Sequence, residues 1–142
     1  MSAFALIVAP DAVRRAGPFW RALMTGAQAG RMATADLLAG GGEMGQRMRE
    51  FDWSATPVGP VETWSPALRT MVRILLVNRF PQLLWWGPEY IQFYNDPYRP
   101  IPGEKHPHRA LGRPASECWA EIWPIIGPLI DTPYHGGPAT WN

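Results

Sequence analysis

Residues 80–98, FPQLLWWGPEYIQFYNDPY, hold two dense apolar runs on either side of Gly87-Pro88-Glu89 and end at Asn95-Asp96-Pro97. Leu83, Leu84, Trp85 and Trp86 precede the turn, and Tyr90, Ile91, Phe93 and Tyr94 follow it. Strand length, aromatic enrichment and a proline that presets φ at the turn together predict a β-hairpin. A strand half open to water would alternate polar and apolar residues. These do not, so both faces of the hairpin are expected to be covered.

The preceding segment supplies one cover. FDWSATPVGPVETW (Phe51–Trp64) is broken by Pro57, Gly59 and Pro60 and reads as a loop pinned by Trp53 and Trp64. Ser65-Pro66 is an N-cap followed by proline at the first helical position, where its missing N–H costs nothing. A helix is predicted from Pro66 to about Asn78, with Leu68, Met71, Val72, Leu75 and Leu76 on one stripe and Arg69 and Arg73 facing away.

Downstream, Pro100, Pro102, Gly103 and Pro107 allow no more than single turns. A last helix is predicted to start at an N-cap Ser116, with Trp119, Ile122, Trp123 and Ile126 on one face and a kink or break at Pro124. Ala139–Asn142 reads as the opening of a further strand. Upstream, residues 1–42 are rich in Ala and Gly, end in Gly40-Gly41-Gly42 after a weak helical pattern over Ala33–Leu38, and are expected to be a poorly ordered leader or linker. Seven of the eight Trp and 14 of the 16 Pro lie beyond that point, so the boundary of the folded unit, residues 43–142, is placed near Gly42.

Composition narrows the function classes. With 142 residues, 46% hydrophobic and 18% charged, the chain fits a single globular core. A net charge of +1 with scattered basic residues gives no stripe for nucleic acid or an anionic membrane surface. Cys118 is the one cysteine, which excludes an internal disulfide or a multi-thiolate metal site and reads as a small buried apolar residue. The run Ala3–Ala9 is far shorter than a membrane span. A cytoplasmic protein with no membrane insertion is expected.

Candidate chemistry is sparse. Glu117 and Glu121, four apart, read as a solvated helix face because no second acid or base is placed to share catalysis. His106 and His108, in a Pro-bounded turn, read as surface residues and not as metal or haem ligands. Ser54 and Ser116 lack a nucleophile elbow, and Gly40-Gly41-Gly42 lacks the Lys-Ser/Thr of a phosphate loop. No catalytic residue, metal ligand or resident cofactor is assigned. Trp86, Phe93, Trp119 and Trp123 are the candidate lining of a small-molecule pocket between helix and sheet, and core packing explains them equally well.

Three segments, LLWWGPEYIQFYNDPYRP, GEKHPHRALGRPASECWAEIW and IGPLI with GPATWN, resemble the N-terminal half of a PAS domain of the kind found at the front of bacterial multidomain sensor histidine kinases. FDWSATPVGPVETWSPALRT resembles the element leading into it. The resemblance covers Glu43–Asn142 and implies an α+β, PAS-like fold. Trp85-Trp86 and Tyr90–Asn95 would be its first two strands, and Asn95-Asp96 the closing turn, with Asn tolerating left-handed backbone. Trp119–Ile130 would belong to the helix walling the pocket, where Pro133 departs from the pattern. The implied sheet has about five strands, so the chain is expected to carry its first hairpin and lack the later strands. It is therefore read as a truncated domain with an open sheet edge and a broad melt. The flavin photochemical variant needs an Asn-Cys-Arg context, which Cys118-Trp119-Ala120 does not offer.

The resemblance also implies a role in two-component signal transduction. The module would bind a ligand or form a homodimer through PAS surfaces and would bias a downstream kinase, with no catalysis of its own. The rival reading is a Trp- and Pro-rich binding protein of unrelated fold, which would display its aromatic residues to solvent.

Overall fold

The computed structural model describes residues 4–8 and 34–137. In chain order the elements are strand β1 (Phe4–Val8), helices α1 (Thr34–Leu37), α2 (Gly42–Glu50) and α3 (Pro66–Val77), strands β2 (Gln82–Trp86) and β3 (Ile91–Tyr94), and helices α4 (Ala115–Cys118) and α5 (Trp123–Tyr134). Single 3₁₀ turns fall at Trp53–Ala55, Val61–Thr63, Asp96–Tyr98 and Gly103–Lys105. Mixed α+β is the class that results.

The hairpin forms as expected, with Leu83 opposite Tyr94 and Trp86 opposite Ile91. Its turn is one residue longer than expected: Tyr90 N–H donates to the Gly87 carbonyl (3.1 Å), and Tyr90 sits at φ 53°. A four-residue loop can end in a left-handed position, and here a tyrosine fills it. Its ring lies against Trp123 and Tyr134, and its hydroxyl donates to Asp131.

Neither edge of the hairpin is bare. β1 runs parallel to β2, with Phe4 opposite Gln82 and Val8 opposite Trp86, in a sheet of order β1-β2-β3. At Phe4–Val8 the chain is thus a strand where a leader was expected: a parallel strand is an unbroken apolar run with no alternation to reveal it. On the far side of β3, Gln92 N–H donates to Arg113 O (3.0 Å), Gly112 N–H to Gln92 O (2.9 Å) and Ala115 N–H to Tyr90 O (3.0 Å). Pro114, with no N–H to offer, limits this pairing to a single bridge. The expected strand over Ala139–Asn142, and the leader reading for residues 9–33, lie outside the described residues.

Helix α3 matches its sequence. Ser65 Oγ accepts from Leu68 N–H (3.2 Å), and Leu68, Val72, Leu75 and Leu76 are buried while Met71 is half-buried. The two arginines do not simply face water. Arg69 donates to the carbonyls of Trp64 (3.1 Å), Val61 (3.1 Å) and Glu62 (3.0 Å), and Arg73 to that of Ala39.

Asn95 ends β3 with extended backbone (φ −98°, ψ 172°), so the left-handed conformation that asparagine tolerates is not used. Its side chain does the work. Nδ2 donates to the carbonyls of Phe80 (2.8 Å), Leu75 (3.2 Å) and Asn78 (3.3 Å), and Oδ1 accepts from Gln82 N–H (2.9 Å). One buried amide thus joins the end of α3 to both strands.

The core also reaches back across the boundary drawn at Gly42, since Leu37 and Leu38 are each 1% exposed. Gly40, Gly41 and Gly42 all have positive φ (69°, 72°, 61°), so they form a tight turn into α2. Asp96 caps that helix from a distance, taking Glu43 N–H (3.0 Å) and Met44 N–H (2.7 Å). A Cβ on Gly42 would stand 2.0 Å from Asp96 Oδ2. Gly42→Ala is therefore expected to lose the cap and strain the turn, costing about 2–3 kcal/mol in a urea titration, whereas Gly40→Ala, with open space at its Cβ, should cost only the strain of its positive φ.

The C-terminal helix differs most from expectation. Trp119–Ile122 separates α4 from α5, so Ser116 is an exposed residue inside α4, whose N-cap position is Pro114. Pro124 occupies the first turn of α5, where it is tolerated. Pro133 does not end α5 before Tyr134: a proline in the last turn removes one backbone bond, and Gly137 N–H closes on Thr132 O (2.9 Å) just beyond.

Candidate functional site

Strand register sorts the candidate pocket residues onto opposite faces. Leu84 lies opposite Phe93 and Trp86 opposite Ile91, so these four side chains share one face. There Phe93, wholly buried, stacks on Trp53 (4.7 Å between centroids, 12° between planes) and meets Trp64 edge-on (5.6 Å). Trp53 Nε1 donates to Met48 O (2.8 Å) and Trp64 Nε1 to Gly59 O (2.9 Å), so both indoles are locked. Phe93 is core.

Trp85, Gln92, Leu83 and Tyr94 face the other way, toward α4 and α5. Trp119 and Trp123 belong to this side: Trp123 meets Trp85 edge-on at 6.3 Å, and Trp119 reaches Gln92. The expected convergence of Trp86, Phe93, Trp119 and Trp123 around one cavity is thus corrected, because the sheet lies between the two pairs. Trp86 instead borders an open cleft of about 310 Å³ at the hairpin tip, with Pro57, Val58, Trp64, Leu68 and Pro88. A second cleft, of about 540 Å³, is lined by Leu38, Arg49, Phe51, Trp53 and Glu62 among others.

The second face is organised by a residue that the sequence reading passes over. Gln92 is 1% exposed. Its Oε1 accepts from both Trp85 Nε1 (2.9 Å) and Trp119 Nε1 (2.6 Å), and its Nε2 donates to Ala110 O (3.0 Å). One amide therefore ties the middle of β3 to β2, to the loop before α4 and to the turn after it. A signal did exist: a single polar side chain inside an apolar strand has to find partners or pay heavily for its burial.

Lys105 closes the rim of this face. Its Nζ donates to Cys118 O (2.7 Å), pairs with the Glu121 carboxylate (2.7 Å) and lies 4.9 Å from the centre of the Trp119 ring. That contact holds the Glu121 carboxyl below its ordinary range. Glu117 and Glu121 do not share a helix face, since the helix breaks between them. Cys118 is buried as expected, which pushes its thiol pKa up.

His106 and His108 part company. His108 is exposed, whereas the His106 ring is 12% exposed and sits between Tyr94 and Glu43. His106 Nδ1 is 2.7 Å from the Tyr94 hydroxyl, and Nε2 is 3.4 Å from Glu43 Oε1. The reading of His106 as a surface residue is corrected by this bridge, which spans 63 residues of sequence and leaves no local trace. Glu43 also receives Arg47 Nε (2.8 Å) and Arg99 (2.6 Å), and the Arg47 bond leads in holding its carboxyl low. Burial pushes the Tyr94 hydroxyl well up and Tyr98 up to about 12.

Among the described residues no three His, Cys, Asp or Glu side chains gather as a metal site requires, and no described helix is long and apolar enough to cross a membrane. No family model, curated protein or solved structure matches the chain.

Proposed function

We propose that the chain is a PAS-like sensory module of a bacterial two-component system, which binds a ligand or a partner and biases a downstream histidine kinase. The observation that carries this reading is the Gln92 node. It couples both strands of the hairpin to the helices and turns covering one sheet face through a single buried side chain. A switch of this kind works by population shift, and a tenfold bias between two arrangements needs only about 1.4 kcal/mol of differential binding. The resemblance of residues 43–142 supports the same assignment. So does the burial of the tryptophans: Trp53, Trp64, Trp85 and Trp86 are 2%, 4%, 6% and 9% exposed, which disfavours a protein that displays aromatic rings to a peptide or sugar.

The proposal places the protein in the cytoplasm, gives it no resident cofactor and assigns it no catalysis. Incubated with labelled ATP, the chain is expected to acquire no label. Stable label on a histidine would overturn the assignment. Joined ahead of the catalytic core of a histidine kinase, in place of that kinase's own sensory segment, it is expected to set the autophosphorylation rate, and Gln92→Glu should change that rate several-fold. A rate indifferent to both the module and the substitution would defeat the sensory reading.

A further inference from the structure

Two uncovered features of the molecule lie on the same side of it. β1 is an edge strand, with β2 as its one partner among the described residues, so alternate backbone N–H and C=O groups along Phe4–Val8 point away from the sheet. Such edges are ordinarily blunted by charge or by proline, and FALIV has neither. The second feature is on α5. Ile122 at its N-cap position, Ile125 and Leu129 are 43%, 70% and 39% exposed, although they are large aliphatic side chains spaced to share one region of a helix.

Helix geometry relates the two. At about 100° per residue, Trp123, Gly127 and Ile130 form the line that packs on the sheet, with Ile122, Ile126 and Leu129 on one flank and Asp131 on the other. Ile125 stands just beyond the first flank. Asp131 accepts from the hydroxyl of Tyr90, immediately before β3, and β2 lies between β3 and β1. The apolar flank is therefore turned away from β3, toward the β1 edge. α5 comes within 8 Å of β1, Cα to Cα.

We propose that the chain forms a twofold homodimer in which the β1 edges of two copies pair antiparallel and the apolar flanks of their α5 helices meet beside that seam. A twofold axis through Leu6, perpendicular to the sheet, sets Phe4 opposite Val8 of the second copy and joins the two sheets into one. It also leaves both α5 helices on the same side of the joined sheet. The contact closes at two copies. Gly112 and Ala115 already bond to the far side of β3, so no second bare edge remains there to extend the sheet.

A second copy suits this surface in charge and in size. The edge donates and accepts backbone hydrogen bonds in equal measure, which makes it complementary to itself. The one charge in α5, Asp131, lies on the opposite flank and is held by Tyr90, so it meets no like charge at the seam. A five-residue strand pair spans only about 17 Å, too little for the roughly 800 Å² that each partner of a stable interface buries. The exposed side chains of α5 add the apolar area that the strand pair lacks. Residues 4–8 lie outside the segment whose resemblance supports the sensory reading, so the dimer stands or falls apart from it.

The test is sedimentation of the whole chain over a concentration series, where a dimer that dissociates on dilution is expected. Ile125→Lys with Leu129→Lys, at exposed positions that leave the monomer folded, should weaken the dimer about tenfold or more. Val77→Lys, 59% exposed on α3, should leave it unchanged. Cysteine pairing reads the strand register. In a Cys118→Ser background, Leu6→Cys should form a disulfide between copies, because facing residues of an antiparallel pair lie about 4.5–5.5 Å apart. Phe4→Cys alone should not, since its copies would stand about 14 Å apart along the strands, whereas Phe4→Cys mixed with Val8→Cys should. A monomer at every concentration overturns the proposal. So does a dimer indifferent to the two lysines, or one in which Phe4→Cys pairs with itself and Leu6→Cys does not. Should the cysteine variants fail to fold, the sedimentation of the parent and the α5 variant decides the matter.

Discussion

Leu75→Asp is expected to remove a large part of the protein's stability. Leu75 is 3% exposed on the buried stripe of α3, beside the carbonyl that Asn95 grips. The substitution removes a core side chain and leaves an unpaired carboxylate, a loss of roughly 4 kcal/mol or more. A domain of this size has only about 5–15 kcal/mol in total. The adjacent Ile74 is 46% exposed, so Ile74→Asp should cost less than about 1 kcal/mol. Arg73→Asp falls between, at about 1 kcal/mol, since Arg73 holds the Ala39 carbonyl at the end of α1. Urea titrations followed by tryptophan fluorescence would rank the three. Equal losses at 74 and 75 would mean that the stripe is misplaced.

Gln92→Leu should be nearly as damaging, for the opposite reason. Leucine fits the volume and is more apolar, yet it strands the indole N–H of Trp85 and of Trp119 and the carbonyl of Ala110. Each buried orphan costs about 1–3 kcal/mol, so a total near 4 kcal/mol is expected. Gln92→Glu keeps an acceptor for both indoles but puts a second oxygen against the Ala110 carbonyl, and below its raised pKa the carboxyl can donate there instead. The pH at which Gln92→Glu recovers stability therefore reports on the node directly. A Gln92→Leu protein as stable as the parent would show that the amide is incidental.

Much of the fold is legible from neighbours in sequence. Ser65-Pro66 starts α3 because a hydroxyl three residues before Leu68 N–H is a local fact, and the spacing of Leu68, Val72, Leu75 and Leu76 states which face is buried. The hairpin is legible for the same reason: two apolar runs of strand length around Gly87-Pro88 have few other ways to fold.

The site is less legible, because its bonds are long. The aromatic residues at 86, 93, 119 and 123 are alike in composition, and only the strand register, which puts Trp86 and Phe93 on one face and the Gln92 node on the other, reveals that they serve two separate layers.

What the amino-acid sequence determined by itself is therefore each element whose cause lies within about one helical turn or one hairpin: the cap of α3, its stripe and the two strands. What only the tertiary structure decided is where distant parts meet. β1 is a strand because β2 is beside it, Gly40-Gly41-Gly42 is a turn because Asp96 waits to cap α2, and His106 is a bridge because Glu43 and Tyr94 come to its two nitrogens. Backbone propensity acts over a few residues and leaves marks there. A hydrogen bond across the fold exists only after packing has brought its partners together, and an isolated Asp, His or Gln looks the same in the sequence with or without it.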